Sequence, residues 1–251
     1  TTLYFAILLI VIRKKTVVSF SPKKACLAIK EKIARNVLFT GLPSALQTML
    51  SAVSNLVLNS LMIGYGETAE AAIGVTKKID AVPFGMVTGL AQGAAPLIAY
   101  NNGAKKYDKM KTTLKLSLCY CVGLAITVLI VVESAAGALI EVFIKDASTV
   151  TYGEKFLRLH CASLPFMAVT FMLVSYFQAV GAKGKAFLLS IIRKGIVDIP
   201  LMYLLNMLIP VYGIVACQPI TDVISATVGV ILYVLWKKKF QKTEEEQEII
   251  V

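Results

Sequence analysis

The sequence is poor in charge. Only 16% of its 251 residues are Asp, Glu, Lys or Arg, where a soluble domain carries about a quarter. It holds one histidine and one tryptophan, and its five cysteines (Cys26, Cys119, Cys121, Cys161, Cys217) form no CxxC pair. Metal ligands and disulfides are therefore not expected of them. Four fall in or beside apolar blocks and read as small buried side chains. HExxH, GxSxG and the phosphate-cradling GxxxxGK[ST] are also missing. That argues against an enzyme and against an ATP-driven pump within these residues.

What the chain has is apolar sequence. Hydrophobic residues make up 57% and the mean hydropathy is +0.74. They fall in long blocks with the charges between them. A bilayer imposes that pattern, because about 20 consecutive apolar residues are needed to cross it as a helix. The net charge of +11 raises nucleic acid as a partner. The basic residues sit in short loops between the blocks, however, where a membrane accounts for them, and no nucleic-acid partner is expected.

The blocks predict an all-α integral membrane protein. Residues 1–12 are too short to span and read as the end of a helix whose start is missing, so the chain looks like a fragment. No basic stretch precedes Leu3 to Ile12, so no signal peptide is expected. Residues 13–36 form a basic linker, 37–236 a six-span lobe, and 237–251 a charged tail. The spans are predicted at 37–63, 69–100, 114–132, 159–180, 187–208 and 212–236. Ser21-Pro22 marks a helix start, so the segment from Lys23 to Arg35 is either a surface-lying helix or a solvated linker. The acidic residues 243–248 read as disordered.

Lysine and arginine alternate across the spans. Nineteen lie in the first loop (Arg13 to Arg35), the loop after the second span (Lys105 to Lys115), the loop after the fourth (Lys183, Lys185) and the tail (Lys237 to Lys242). The opposite loops hold three, Lys145, Lys155 and Arg158, among six acids. The rule that basic loops stay inside puts the first loop and the C-terminus in the cytosol, in a cytoplasmic membrane.

Three features could carry chemistry. Thr40, Ser44, Gln47, Ser51, Asn55 and Asn59 recur at spacings of three or four and share one helix face. That face is either glue between helices or a cavity wall. The second span contains Val75-Thr76-Lys77-Lys78-Ile79-Asp80-Ala81-Val82-Pro83. A charge near the bilayer centre costs at least ~2.5–3.5 kcal/mol. Lys77 and Asp80, three apart, are expected to pair, with Asp80 in ion coupling or in a structural ion pair. Gly85, Gly89 and Gly93 form a double GxxxG between Pro83 and Pro96, predicting close helix packing in a broken helix that lines a cavity. Farther on, Gln218, Thr221, Asp222 and Ser225 cluster on one face, and Asp222 is a second ion candidate. Arg193 and Lys194 are assigned to the membrane interface, Asp198 to a deeper position, and His160 to a satisfied interfacial role.

Gly41-Leu42-Pro43-Ser44, Ala72-Ile73-Gly74-Val75-Thr76-Lys77-Lys78-Ile79-Asp80, Gln92-Gly93-Ala94-Ala95-Pro96-Leu97-Ile98-Ala99-Tyr100-Asn101, Phe177-Gln178-Ala179-Val180-Gly181, Arg193-Lys194-Gly195 with Ile199-Pro200-Leu201, and Gln218-Pro219-Ile220 together resemble the C-terminal lobe of the multidrug and toxic compound extrusion (MATE) family, bacterial type. The resemblance covers nearly the whole chain, in order. It implies half of a twelve-helix transporter that exports drugs or organic cations by H⁺ or Na⁺ antiport with alternating access. Its partners would be the N-terminal lobe of the same protein, the bilayer and small-molecule substrates, and it would need no cofactor beyond the coupling ion. The cavity-lining candidates are Gln47, Ser51, Asn55, Asn59, Gln92, Gln178 and Gln218.

Some members carry a Glu where Ser51 stands, and an Asp in the fourth span where Val169 and Thr170 stand, so that sodium site is not expected here. The rival is a lipid or lipid-linked saccharide flippase of related fold, which would place more cations in the cavity than this neutral stripe suggests. An intramembrane transferase would need clustered carboxylates for a metal-bound diphosphate, whereas Asp198 and Asp222 look isolated.

Overall fold

The computed structural model describes the backbone of residues 33–248, with side chains described at Arg35, Val37, Leu38 and Phe39 and from Gly41 to Lys238. The chain falls into two compact units, Thr1–Gly41 and Leu42–Val251. In the first, the described residues are helical, with the Arg35 guanidinium 5.5 Å over the Phe39 ring. The expected helix end at 1–12 and most of the segment beginning at Lys23 lie outside the described residues.

Among the described residues there are helices and no strands. They are α1 (Ile33–Ile63), α2 (Glu67–Gly103), α3 (Tyr107–Glu141), α4 (Ala147–Cys161), α5 (Leu164–Ala179), α6 (Lys183–Ile191), a π-helical turn (Ile192–Ile196), α7 (Asp198–Leu208) and α8 (Tyr212–Glu248). Four stretches are long and apolar enough to cross a membrane: Gly41–Ile63, Glu67–Gly103, Tyr107–Glu141 and Tyr212–Lys238. The pair α4–α5, bent by 42°, makes a fifth.

α2 is the hub, packing on α3, α4 and α5, while α8 packs on α5 and α7. Its 37 residues extend about 56 Å against a hydrocarbon core of ~30 Å, so it must tilt or protrude. It runs continuously through Pro83 and Pro96, which corrects the expectation of a broken helix. Each proline deletes one backbone hydrogen bond. The remaining bonds persist because an unpaired backbone group in lipid costs several kcal/mol and three neighbouring helices brace the rod.

The break occurs instead at Ala162-Ser163, between α4 and α5. Hydropathy places the fourth span at 159–180 with a loop before it, but that loop is mostly helix. α4 is amphipathic: Gly153, Phe156, Leu157 and Cys161 are buried while Thr151, Lys155 and Arg158 are exposed. Gly153 lets Ile140 approach to within 3.0 Å of where a Cβ would stand. Asp146 caps the helix by accepting from the Thr149 backbone N–H at 2.9 Å and its hydroxyl at 2.7 Å. Hydrogen bonds from Ser148 first, then Thr149, hold its carboxyl down at about 2, so the cap is ionised at neutral pH. Pro165, in the first turn of α5, lacks an N–H and cannot continue α4.

The fifth expected span is likewise interrupted, by the π-turn, where the Val197 N–H reaches back five residues to the Ile192 carbonyl at 3.2 Å. The tail also differs from expectation. α8 continues through Glu248 because Lys, Gln and Glu are good helix formers and no Pro or Gly interrupts them.

Two apolar clusters hold the second unit together. One is built around Ile98, Met110, Leu157, Met172 and Phe177, the other around Met62, Ile73, Phe156 and Met202. Outside them lies a belt of exposed apolar side chains, among them Leu56, Val82, Ile130 and Leu235, each more than half exposed. A surface of that kind requires lipid or a further protein face to cover it.

Candidate functional site

A cavity of about 210 Å³ lies among α1, α2, the α4–α5 break, the π-turn and α8. Its wall carries Ser51, Ser54 and Asn55 from α1, Lys77, Asp80 and Phe84 from α2, His160 and Ser163 at the break, Arg193 and Lys194 from the π-turn, and Gln218 from α8. The breaks thus coincide with the site. A π-turn shifts the helical phase by one residue, and here it presents two adjacent cations to the same space.

Behind the wall runs a connected polar network. The Arg193 Nε donates to Asp222 Oδ1 at 2.6 Å, with both side chains almost completely buried. The guanidinium also stacks 4.7 Å over the Phe171 ring. Gln218 Nε2 donates to Asp222 Oδ2 at 2.8 Å, and its Oε1 accepts from Lys194 Nζ at 2.6 Å. Lys194 reaches Asp198 Oδ2 at 3.3 Å, and Ser54 donates to the same oxygen. Cys217 Sγ donates to the Asp198 backbone carbonyl at 3.2 Å. Every member is satisfied by another, the condition under which buried charges are tolerated.

Asp80 stands on the opposite wall. Its Oδ2 lies 3.2 Å from His160 Nε2 and its Oδ1 4.0 Å from Cys161 Sγ. His160 Nδ1 is buried without a partner among the described residues. Lys77 Nζ donates to Asn59 Oδ1 at 3.2 Å.

Several expectations change. The pair Lys77–Asp80 does not form: each takes another partner, because α1 and the α4 end lie closer to these side chains than they do to each other. His160 is drawn into the cavity. Arg193 is 1% exposed rather than interfacial, and Lys194 lines the cavity. Asp198 and Asp222 are joined through Lys194 and Gln218. Of the polar stripe, Ser51 and Asn55 line the cavity and Asn59 holds Lys77. Gln47 is buried with its Nε2 unpaired, Gln92 is exposed, and Gln178 donates to Ser44 Oγ at 2.8 Å. Gln218 lines the cavity as expected. Gly85, Gly89 and Gly93 would meet nothing within 4 Å if given a Cβ, so the double GxxxG packs no helix among the described residues. Cys121, Cys161 and Cys217 are buried as expected, Cys119 is exposed, and Cys26 lies outside the described residues.

Sequence signals for the missed residues were partial. Lys194–Asp198 and Gln218–Asp222 are four apart on helical sequence and could be paired by inspection. Arg193–Asp222 and Asp80–His160 join distant helices and leave no trace in spacing.

An all-helical body with spanning helices, a lipid-type exterior and a charged internal cavity defines an integral membrane protein with a buried polar site. A family model described as MatE matches residues 43–204, well over half of the chain, and the chain belongs to that family, whose members are transporters rather than enzymes. Among curated relatives, the "Multidrug export protein MepA" of Staphylococcus saprophyticus is 28% identical over 216 residues, 86% of this chain and 48% of that protein. The MepA of Staphylococcus haemolyticus is 26% identical over 238 residues, 95% of this chain and 51% of that protein. The chain thus spans about half the length of the curated relatives it matches. Among solved structures, the Vibrio cholerae MATE transporter VcmN superposes with a TM-score of 0.84 at 17% identity, over 93% of this chain and 53% of that one. An outward-facing multidrug resistance MATE family transporter gives 0.78 at 19% identity, over 90% and 50%. At these identities the structures speak for the fold.

Proposed function

We propose that the chain is one lobe of a secondary transporter that exports small molecules by H⁺ or Na⁺ antiport, with Asp80 as the coupling carboxylate of this lobe. The observation that carries this is the Asp80–His160 contact at 3.2 Å on the wall of a cavity lined in part by helices long and apolar enough to span a membrane. Asp222 and Asp198 are each held by a cation, whereas Asp80 meets a histidine, which is neutral unless protonated. Of these three carboxylates it is therefore the one with no lysine or arginine beside it to compete with a coupling ion. Binding there shifts the balance between inward- and outward-facing states by the difference in affinity for the two. The MepA relatives are named as multidrug exporters, which supports drugs as cargo. The partner would be an N-terminal lobe completing the cavity.

Asp80→Asn in the full-length protein tests this. Drug binding in detergent should stay near normal, while efflux from vesicles under an imposed pH or Na⁺ gradient is lost. Unimpaired gradient-driven efflux removes Asp80 from coupling. Loss of binding together with expression marks it as structural.

We also propose that the loop around Lys106 and the C-terminal tail face the cytosol, since the basic loops alternate. In a cysteine-free background, Lys106→Cys and Lys238→Cys should be shielded from impermeant thiol reagent in intact cells and Asp146→Cys should react. The reverse pattern inverts the topology.

A further inference from the structure

We infer that the cavity holds a subsite for an oxyanion, a carboxylate or phosphate group of the cargo or of a lipid, at Lys77; this rests on the export reading above. Charges on the cavity wall are unequal. Lys77, Arg193 and Lys194 face it, against Asp80 alone. Compensation behind the wall is also unequal. Arg193 is neutralised by Asp222 at 2.6 Å and Lys194 by Asp198 at 3.3 Å, both through carboxylates that are almost fully buried. Asp80 is engaged by His160. Lys77 has only the amide oxygen of Asn59 at 3.2 Å, a neutral acceptor, and no carboxylate within ion-pair distance among the described residues.

An ammonium group has three donors, so Lys77 holds two in reserve toward the cavity. A cation at membrane depth is rarely left without a counter-charge. The remaining wall suits an amphiphile whose charged end is negative: Phe84 and Met167 give apolar contact, while Ser51, Asn55 and Ser163 give neutral hydrogen bonds. The neutral stripe that sequence spacing suggested is one wall only; Lys77 on α2 and Arg193 and Lys194 on the π-turn add cations to the others.

The test uses purified full-length protein containing this lobe, with 5(6)-carboxyfluorescein as the anionic probe and ethidium as the cationic one, each followed by fluorescence anisotropy. Wild type should bind carboxyfluorescein. Lys77→Met should lower the ratio of carboxyfluorescein to ethidium affinity roughly tenfold or more, the scale of one lost charged hydrogen bond. Lys77→Arg should keep that ratio within about threefold, since it preserves charge and donors. Phosphatidylglycerol added to wild type should displace carboxyfluorescein if a lipid phosphate is the natural occupant, and should leave it bound if the site prefers a free carboxylate. Either result keeps the subsite and names its source. An unchanged ratio in Lys77→Met, or failure of wild type to bind carboxyfluorescein while ethidium binds and is exported, overturns the inference and leaves export intact. Absence of export for both probes removes the export reading itself. Should Lys77→Met fail to fold, Lys77→Gln, which also removes the charge but keeps a polar end, takes its place: a roughly tenfold fall in the ratio supports the subsite and an unchanged ratio overturns it.

Discussion

Asp222→Leu and Arg193→Met should each abolish recovery of folded protein from membranes, and the double variant should restore most of it. The two side chains form the most deeply buried ion pair among the described residues, almost completely enclosed and 2.6 Å apart. Removing one partner leaves an uncompensated charge among Phe171, Gln218 and the π-turn. Such a change costs about 3–5 kcal/mol, a large share of a typical stability of about 5–15 kcal/mol. Replacing both by apolar residues of similar volume removes both charges and is frequently neutral. Gln218 would then lose the acceptor for its Nε2 at 2.8 Å, so recovery should be incomplete. The measurement is the monodisperse fraction on size-exclusion chromatography and the melting temperature of each variant. Single variants that match wild type would show that water or lipid headgroups reach the pair, contrary to its burial.

Gly213→Ala should be the most damaging glycine-to-alanine change in the lobe, and Gly89→Ala among the least. Gly213 opens α8 directly after the turn from α7. A Cβ there would lie 2.2 Å from the Leu205 backbone oxygen and 2.7 Å from its carbon. No rotamer relieves a clash with backbone, so α7 and α8 must move apart, costing roughly 1–3 kcal/mol or more. Their separation would loosen Cys217 from Asp198, 3.2 Å away across the same interface. At Gly89 the added methyl meets nothing within 4 Å, and alanine is the better helix former by about 1 kcal/mol. The melting temperature should drop by several degrees for Gly213→Ala and hold or rise for Gly89→Ala. A comparable drop at Gly89 would mean that another protein surface covers that face in the full-length protein.

These two glycines show where spacing misleads. Three glycines four apart suggest a groove, but the pattern cannot say whether a helix occupies it. Gly213 has no periodic company and still sits at the tightest approach of any described glycine. Close packing is a property of two elements together, and one sequence segment carries half of it. The same limit explains the charges. Lys77 and Asp80 lie on one helix face and look like partners, yet each found a nearer group on another helix.

The sequence by itself determined that this is a helical membrane protein, and it placed the second and last spans closely, 69–100 against Glu67–Gly103 and 212–236 against Tyr212–Lys238. Those follow from transfer of apolar side chains out of water and from backbone hydrogen bonding, which are set residue by residue along the chain. Resemblance of its motifs placed it in the family that the comparison then established. Only the tertiary structure decided that the amphipathic α4 belongs to a bent span, that a π-turn turns Arg193 and Lys194 inward, that His160 meets Asp80, and that three cations and one acid line the same cavity. Each depends on which distant helix faces which. A buried charge lowers its energy by finding the nearest group of opposite sign or complementary hydrogen bonding in three dimensions, and distance along the chain does not enter that choice.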